Sequence, residues 1–130
     1  YAVLAYLNGE EGAEKVQAAM EEARNIGAPL AMSEINIGEV YYILSRKRGM
    51  EKADYFIDTI LPGLPVQVLP IDFPLVIEAA RLKAKYPLSY ADCFAAAVAV
   101  RTGASILTGD PEFRAMKAFL TIEWLVNGRE

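Results

Sequence analysis

The sequence contains no histidine and a single cysteine, Cys93, among its 130 residues. Without histidine, the chain cannot build a Ser–His or Cys–His nucleophile pair, a histidine general base or an imidazole zinc site. One cysteine excludes an internal disulfide and a CxxC site, which favours a reducing, cytoplasmic location. Any chemistry must therefore come from carboxylates, hydroxyls, amides, lysine and arginine.

Long apolar runs and an excess of basic residues are also missing. No apolar run approaches the ~18 residues of a membrane span, and no signal peptide is visible, so we expect no membrane association. The 13 basic and 17 acidic residues give a net charge of −4. That balance is untypical of a protein that grips nucleic acid along a broad basic face, although a local basic rim or a metal-mediated contact with phosphates stays open.

Short apolar runs alternate with helical patterns along the whole chain, without a repeat or a linker. The runs at 28–33, 66–71, 104–108 and 120–125 predict strands, and the segments between them predict helices. Among these are helices over 51–61 and 111–117 and two that begin after the capping residues Ser33 and Asp72. This alternation predicts one domain over residues 1–130, an α/β fold in which a mostly parallel central sheet lies between two helical layers. In such folds ligands bind at the carboxyl edge of the strands.

The helix predicted over 88–101 is apolar on every side, which is typical of a buried helix. Its one carboxylate, Asp92, lies in the first turn. Burying an ionised carboxylate costs several kcal/mol unless it is paired, hydrogen-bonded or bound to a metal. Asp92 therefore needs a partner from elsewhere in the chain.

Two further acidic residues are expected at the same edge of the sheet as Asp92. Glu39 lies two turns into the helix that follows the first predicted strand, with Asn36 one turn before it on the same face. Asp110 directly follows the strand at 104–108. Clustered carboxylates raise each other's pKa unless a cation neutralises them. Because histidine and cysteine ligands are lacking, Mg²⁺ or Mn²⁺ is the natural cation.

Each of these acids also has a purely structural explanation. Ser89 and Asp92 have the spacing of a capping box, and Asp110 followed by Pro111 is typical of a helix N-cap. Glu39 alone could be a solvated helix residue. Glu112 is expected to interact with the helix dipole in the first turn of a short helix. From there its carboxylate could also reach a metal through water.

Three segments in order, SEINIGEV at 33–40, LSYADCFAAA at 88–97 and LTGDPEF at 107–113, resemble motifs of PIN-domain ribonucleases, and most closely those of VapC-type toxins from prokaryotic toxin–antitoxin pairs. The resemblance implies that Glu39, Asp92 and Asp110 are the acidic metal-binding and catalytic residues, with Asn36 as the polar residue that accompanies the glutamate. It also implies a first strand that ends in an aspartate directly before Tyr1, and we expect both upstream of this sequence.

The resulting hypothesis is a Mg²⁺- or Mn²⁺-dependent endoribonuclease whose metal activates water for in-line attack on a phosphodiester. Glu39 or Asp110 would in addition orient the water. Single-stranded or looped RNA is the expected substrate. Its phosphates would contact Lys83, Lys85 and Arg114, unless these are ordinary surface charges.

The resemblance further implies a homodimer and a cognate antitoxin whose C-terminal segment blocks the acidic site. The helix over 53–61 and the pair Tyr41–Tyr42 are the expected surfaces for the antitoxin. The main alternative function is a PIN-like protein-interaction module without catalysis. A phosphatase-like or receiver-like protein is disfavoured because no lysine closely follows a predicted strand.

Overall fold

Helices make up most of the chain and connect four short strands. The computed structural model describes residues 1–126, and the single domain over 1–130 stays a prediction. The helices are α1 (Ala2–Leu7), α2 (Ala13–Ile26), α3 (Glu34–Arg48), α4 (Met50–Tyr55), α5 (Phe73–Lys85) and α6 (Tyr90–Thr102). The strands are β1 (Leu30–Ser33), β2 (Val66–Leu69), β3 (Ile106–Thr108) and β4 (Ile122–Trp124). None of the helices within 1–126 is long and apolar enough to cross a membrane.

The strands pair in parallel, which confirms the predicted α/β class. Strand β1 pairs with β2, with Leu30 opposite Val66, and β3 pairs with β4, with Ile106 opposite Ile122. Within residues 1–126 these pairs form two separate two-stranded sheets rather than one continuous sheet. Helix α6 contacts both β1 and β3 and so connects the two sheets through its buried side chains.

Helix starts follow the capping residues in the sequence. The Ser33 hydroxyl accepts a hydrogen bond from the Asn36 backbone N–H at 3.2 Å, and Asp72 Oδ1 accepts one from Leu75 at 2.8 Å. Because the first backbone N–H groups of a helix have no partner within the helix, such side-chain oxygens define where it begins. The predicted starts of α3 and α5 are confirmed.

Two predicted helices differ from those observed. The helix expected over 51–61 leaves regular α-geometry after Tyr55 and continues as a π-helical turn over Phe56–Ile60 and a 3₁₀ turn over Leu61–Gly63. The wider turn keeps the apolar side chains from Phe56 to Leu61 packed on one core cluster, and Pro62 then removes a backbone donor. The short helix expected over 111–117 is a 3₁₀ segment, Pro111–Met116.

Helix α6 lies in the largest apolar cluster, as its composition predicts. Its middle is buried and packs against α5, β3 and the 3₁₀ segment, with Ala96 and Cys93 at 0% exposure. The small alanine side chains permit close approach of α5, whose Leu75 and Ala79 are equally buried. Only the two ends of α6 reach the surface, at Tyr90 and Val100. Asp92, in the first turn of α6, therefore lies at the half-buried N-terminal end of the helix, at the edge of the core.

Candidate metal centre

Three carboxylates lie together where α6 begins and β3 ends. One carboxylate oxygen from each of Asp92, Asp110 and Glu112 lies within 4.8 Å of the other two. Asp92 and Asp110 are half-buried, whereas Glu112 is exposed. The structure thus brings together two of the three predicted site residues and adds a third carboxylate that the sequence analysis ranked lower.

Hydrogen bonds around Asp110 hold its carboxylate in place. The backbone N–H of Asp110 donates to the buried hydroxyl of Thr108 at 3.1 Å, and Asp110 Oδ1 accepts from the N–H of Glu112 at 2.9 Å. The expected capping role is therefore real. It engages one oxygen of Asp110, so capping and metal binding are compatible. A Cβ at Gly109 would lie 2.5 Å from the Tyr1 ring, so a larger residue here would displace that side chain.

The same hydrogen bond explains how Glu112 joins the cluster. By tying its own carboxylate to the backbone two residues on, Asp110 folds the chain tightly before the 3₁₀ segment. Both carboxylates then lie on the same side as Asp92. The signal in the sequence was the Asp-Pro-Glu order, in which a capping aspartate and a proline enforce a turn immediately before Glu112.

The first turn of α6 is capped by Ser89, whose hydroxyl accepts from the Asp92 N–H at 3.2 Å. Burial raises the pKa of the Asp92 carboxyl, the Ser89 hydroxyl opposes this rise, and the negative charges of Asp110 and Glu112 add to it. The cluster therefore concentrates negative charge where water is partly excluded. A bound cation would relieve this repulsion.

Glu39 lies beside this cluster rather than within it. Burial raises the pKa of its carboxyl, and the negative charge of Asp92 raises it further. Among the described residues it is not part of the group that meets within 4.8 Å. The ring of Tyr1 lies against Gly109, next to Asp110, which places the start of α1 at the same site.

Asn36 connects the two helices that carry Glu39 and Asp92. The hydroxyl of Ser33, which is 1% exposed, donates to Asn36 Oδ1 at 2.6 Å, and Asn36 Nδ2 donates to the carbonyl of Ala91 at 2.9 Å. Both ends of the amide are thus engaged in fixing the N-terminus of α3 against the first turn of α6. Asn36 therefore links the start of α3, which carries Glu39, to the first turn of α6, which carries Asp92.

The donor set suits a hard divalent cation. Asp92, Asp110 and Glu112 offer only carboxylate oxygens, and the chain has no histidine to add a nitrogen ligand. Oxygen-only sites of this kind are typical of Mg²⁺ and Mn²⁺ rather than Zn²⁺. The residues present therefore fit Mg²⁺ or Mn²⁺, the ions predicted from the sequence.

Comparison with known proteins gives one family and several related structures. The model of the PIN domain family matches residues 2–118. No curated protein sequence matches the chain significantly.

Three solved structures share the fold at low sequence identity. VapBC2 from Rickettsia felis, bound to a promoter DNA fragment, has 16% identity and a TM-score of 0.70, with 94% of this chain and 91% of the other covered. DNA-bound VapBC from Salmonella typhimurium has 17% identity and a TM-score of 0.67, covering 95% and 92%. VapC20 from Mycobacterium tuberculosis, a toxin that cleaves the sarcin–ricin loop, has 20% identity and a TM-score of 0.58, covering 74% and 77%.

Proposed function

Because the chain belongs to the PIN domain family, we propose that it is a metal-dependent endoribonuclease and the VapC-type toxin of a toxin–antitoxin pair. The observation that carries this proposal is the meeting of Asp92, Asp110 and Glu112 within 4.8 Å at the start of α6 and the end of β3. Two half-buried carboxylates and an exposed one repel each other at this distance, which supports a bound cation at this place.

The chain's own residues divide into holding and positioning roles. Asp92, Asp110 and Glu112 would hold the ion, and Asn36 keeps Glu39 at a constant place beside Asp92. When bound, Mg²⁺ or Mn²⁺ supplies an activated water and neutralises charge on the phosphodiester. Glu39 would orient that water and accept its proton, since it lies next to the cluster without being one of its three closest members.

The acidic cluster by itself repels anions. With a cation bound, it could accept a negatively charged RNA phosphate. The basic residues Lys83, Lys85 and Arg114 are exposed and stay predicted phosphate contacts. Lys83 is close enough to lower the pKa of Cys93, the residue after Asp92, against the dominant effect of burial. The loop-cleaving activity of the structurally similar VapC20 supports single-stranded or looped RNA as the substrate.

A homodimer, an antitoxin partner and a cytoplasmic location belong to the same proposal. The similar VapBC structures support an antitoxin. Of the surfaces expected for it, the apolar side chains Ala53 and Phe56 are buried in the core and therefore unavailable. Tyr55 in that segment, Met50 just before it and Tyr42 of the expected pair Tyr41–Tyr42 are 56%, 66% and 47% exposed and stay available for this contact.

The proposal is tested by RNA cleavage with the full-length protein in Mg²⁺, Mn²⁺ or EDTA, alongside Asp92→Asn and Asp110→Asn. We expect metal-dependent cleavage that falls at least about a hundredfold in both variants, because each removes a negatively charged metal ligand. Asp58→Asn, an exposed carboxylate outside the cluster, serves as the control and should cleave normally. Equal activity of Asp92→Asn would reduce the cluster to helix caps and favour the non-catalytic interaction module.

A further inference from the structure

Helix α3 carries a row of side chains that runs from the half-buried Glu39, beside the candidate metal centre, to the exposed Tyr42 and Arg46. Glu39, Tyr42 and Arg46 follow one another at spacings of three and four residues, which places them along one side of the helix. The buried residues of α3, Ile37, Val40 and Leu44, lie on its opposite side. With a rise of 1.5 Å per residue, Tyr42 lies about 5 Å and Arg46 about 10 Å along the helix axis from Glu39.

Tyr42 and Arg46 form a cation–π pair at the surface. The guanidinium carbon of Arg46 lies 5.1 Å from the centroid of the Tyr42 ring, and Tyr42 nevertheless remains 47% exposed. Within residues 1–126, Arg46 makes no carboxylate contact within 4.0 Å. Its charge and the ring it orders are therefore both presented to solvent, next to the positive charges of Lys47 and Arg48.

We propose that Tyr42 and Arg46 form a stacking platform for an unpaired RNA base adjacent to the phosphate at the acidic cluster. This inference rests on the proposed ribonuclease function. Aromatic rings and guanidinium planes stack on the faces of nucleobases, and the guanidinium also attracts phosphate. The basic end of α3 complements RNA within a chain of net charge −4. Since bases within a duplex are already stacked, the platform selects single-stranded substrate.

The test measures binding of a short unstructured RNA to the full-length protein in an Asp92→Asn background, where cleavage is blocked. We expect Tyr42→Ala to lose at least about fivefold in affinity, the effect of removing one base–aromatic stack. Tyr42→Phe retains the ring and should bind like the background protein. Phe73→Ala removes an aromatic ring that is 73% exposed on a different helix, α5, and should have no effect.

A second RNA that lacks bases at several successive positions separates the contribution of base stacking to affinity from the contribution of charge. For this RNA we expect Tyr42→Ala to bind as tightly as its parent, whereas Arg46→Gln should weaken both RNAs and Lys47→Gln should have a smaller effect. Unchanged affinity of Tyr42→Ala for the intact RNA would overturn the platform, and so would a loss confined to dimerisation or to binding of a protein partner.

The proposed function fails separately from the platform. If the protein with Asp92 shows metal-dependent cleavage while Tyr42→Ala binds RNA normally, the nuclease assignment stands and the platform alone is wrong. If no metal-dependent cleavage occurs, the nuclease assignment is wrong whatever Tyr42 binds. Because Tyr42 is exposed, its variants should melt at the parental temperature, which separates lost binding from lost folding.

Discussion

At the scale of single residues, Asn36 is the polar side chain with the most consequences for the candidate site. Its amide accepts from Ser33 and donates to Ala91, so it joins α3 to α6 beside the carboxylates of Glu39 and Asp92. A residue of this kind acts through its neighbours. Mutating a residue that orients metal ligands through hydrogen bonds typically lowers metal affinity by about 10–100-fold.

Replacing Asn36 by alanine should weaken Mn²⁺ binding by about 10–100-fold, because the first turn of α6 loses its link to α3. The variant should also lose roughly 1–3 kcal/mol of stability, since the two hydrogen bonds of the Asn36 amide, with Ser33 and Ala91, are removed. Calorimetric titration with Mn²⁺ and thermal melting measure the two effects. Asn25→Ala, at an exposed position on α2, is the matched control. Wild-type Mn²⁺ affinity in Asn36→Ala would contradict the positioning role.

At the scale of helices, an ion pair joins the end of α6 to the start of α5. Arg101 Nη1 lies 2.9 Å from Asp72 Oδ2, and Arg101 Nη2 lies 3.6 Å from Glu78 Oε2. Asp72 is at the same time the N-cap of α5. Hydrogen bonding from Arg101 first, and from the Leu75 N–H next, lowers the pKa of the Asp72 carboxyl. The pair is solvent-exposed, so its contribution to stability is small and sensitive to salt.

The lowered pKa of Asp72 predicts an acid-dependent loss of stability. Because the folded pKa lies below the unfolded value of about 4, the contribution of this group is complete above that value and is lost as the pH falls through the folded pKa. Asp72→Asn keeps a capping oxygen but loses the charge. We expect the wild type to melt above the variant at pH 6–7, with the difference shrinking as the pH falls below about 4.

Melting curves at several pH values, followed by circular dichroism, give this comparison directly. Asp58→Asn removes a carboxylate of the π-helical turn and controls for the general loss of negative charge. A difference between wild type and Asp72→Asn that does not shrink at all below about pH 4 would show that the ion pair with Arg101 does not account for it.

At the scale of the whole molecule, the candidate metal centre joins separate parts of the fold. Asp92 lies in the first turn of α6, which contacts both sheets. Asp110 and Glu112 follow β3. A cation bound by all three therefore binds the folded chain only. A ligand at a hundred times its dissociation constant then stabilises the fold by about 2.7 kcal/mol.

Mn²⁺ or Mg²⁺ at that concentration should raise the melting temperature by several degrees. Thermal scans with and without the ion measure the shift, and KCl at the same ionic strength corrects for screening of the clustered charges. The variant Asp110→Asn should show little of this shift in melting temperature. Equal shifts in the wild type and in Asp110→Asn would mean that the ion binds elsewhere.

The features that the sequence determined by itself are local. Ser33 and Asp72 begin their helices because a side-chain oxygen must satisfy nearby N–H groups, whatever the rest of the chain does. The apolar composition of α6 required burial, and the lone acid Asp92 within it required a partner. Asp92 and Asp110 were identifiable because each stands at the start of a helical segment near the ends of predicted strands.

The tertiary structure alone decided how these pieces meet. It placed Glu112 with Asp92 and Asp110, left Glu39 beside them, and divided the described strands into two parallel pairs. It also widened the segment after Tyr55 into a π-helical turn so that Phe56 reaches the core. Each outcome depends on distances between residues far apart in the chain. Such distances follow from how complete helices and strands pack, which the periodicity of a single segment does not contain.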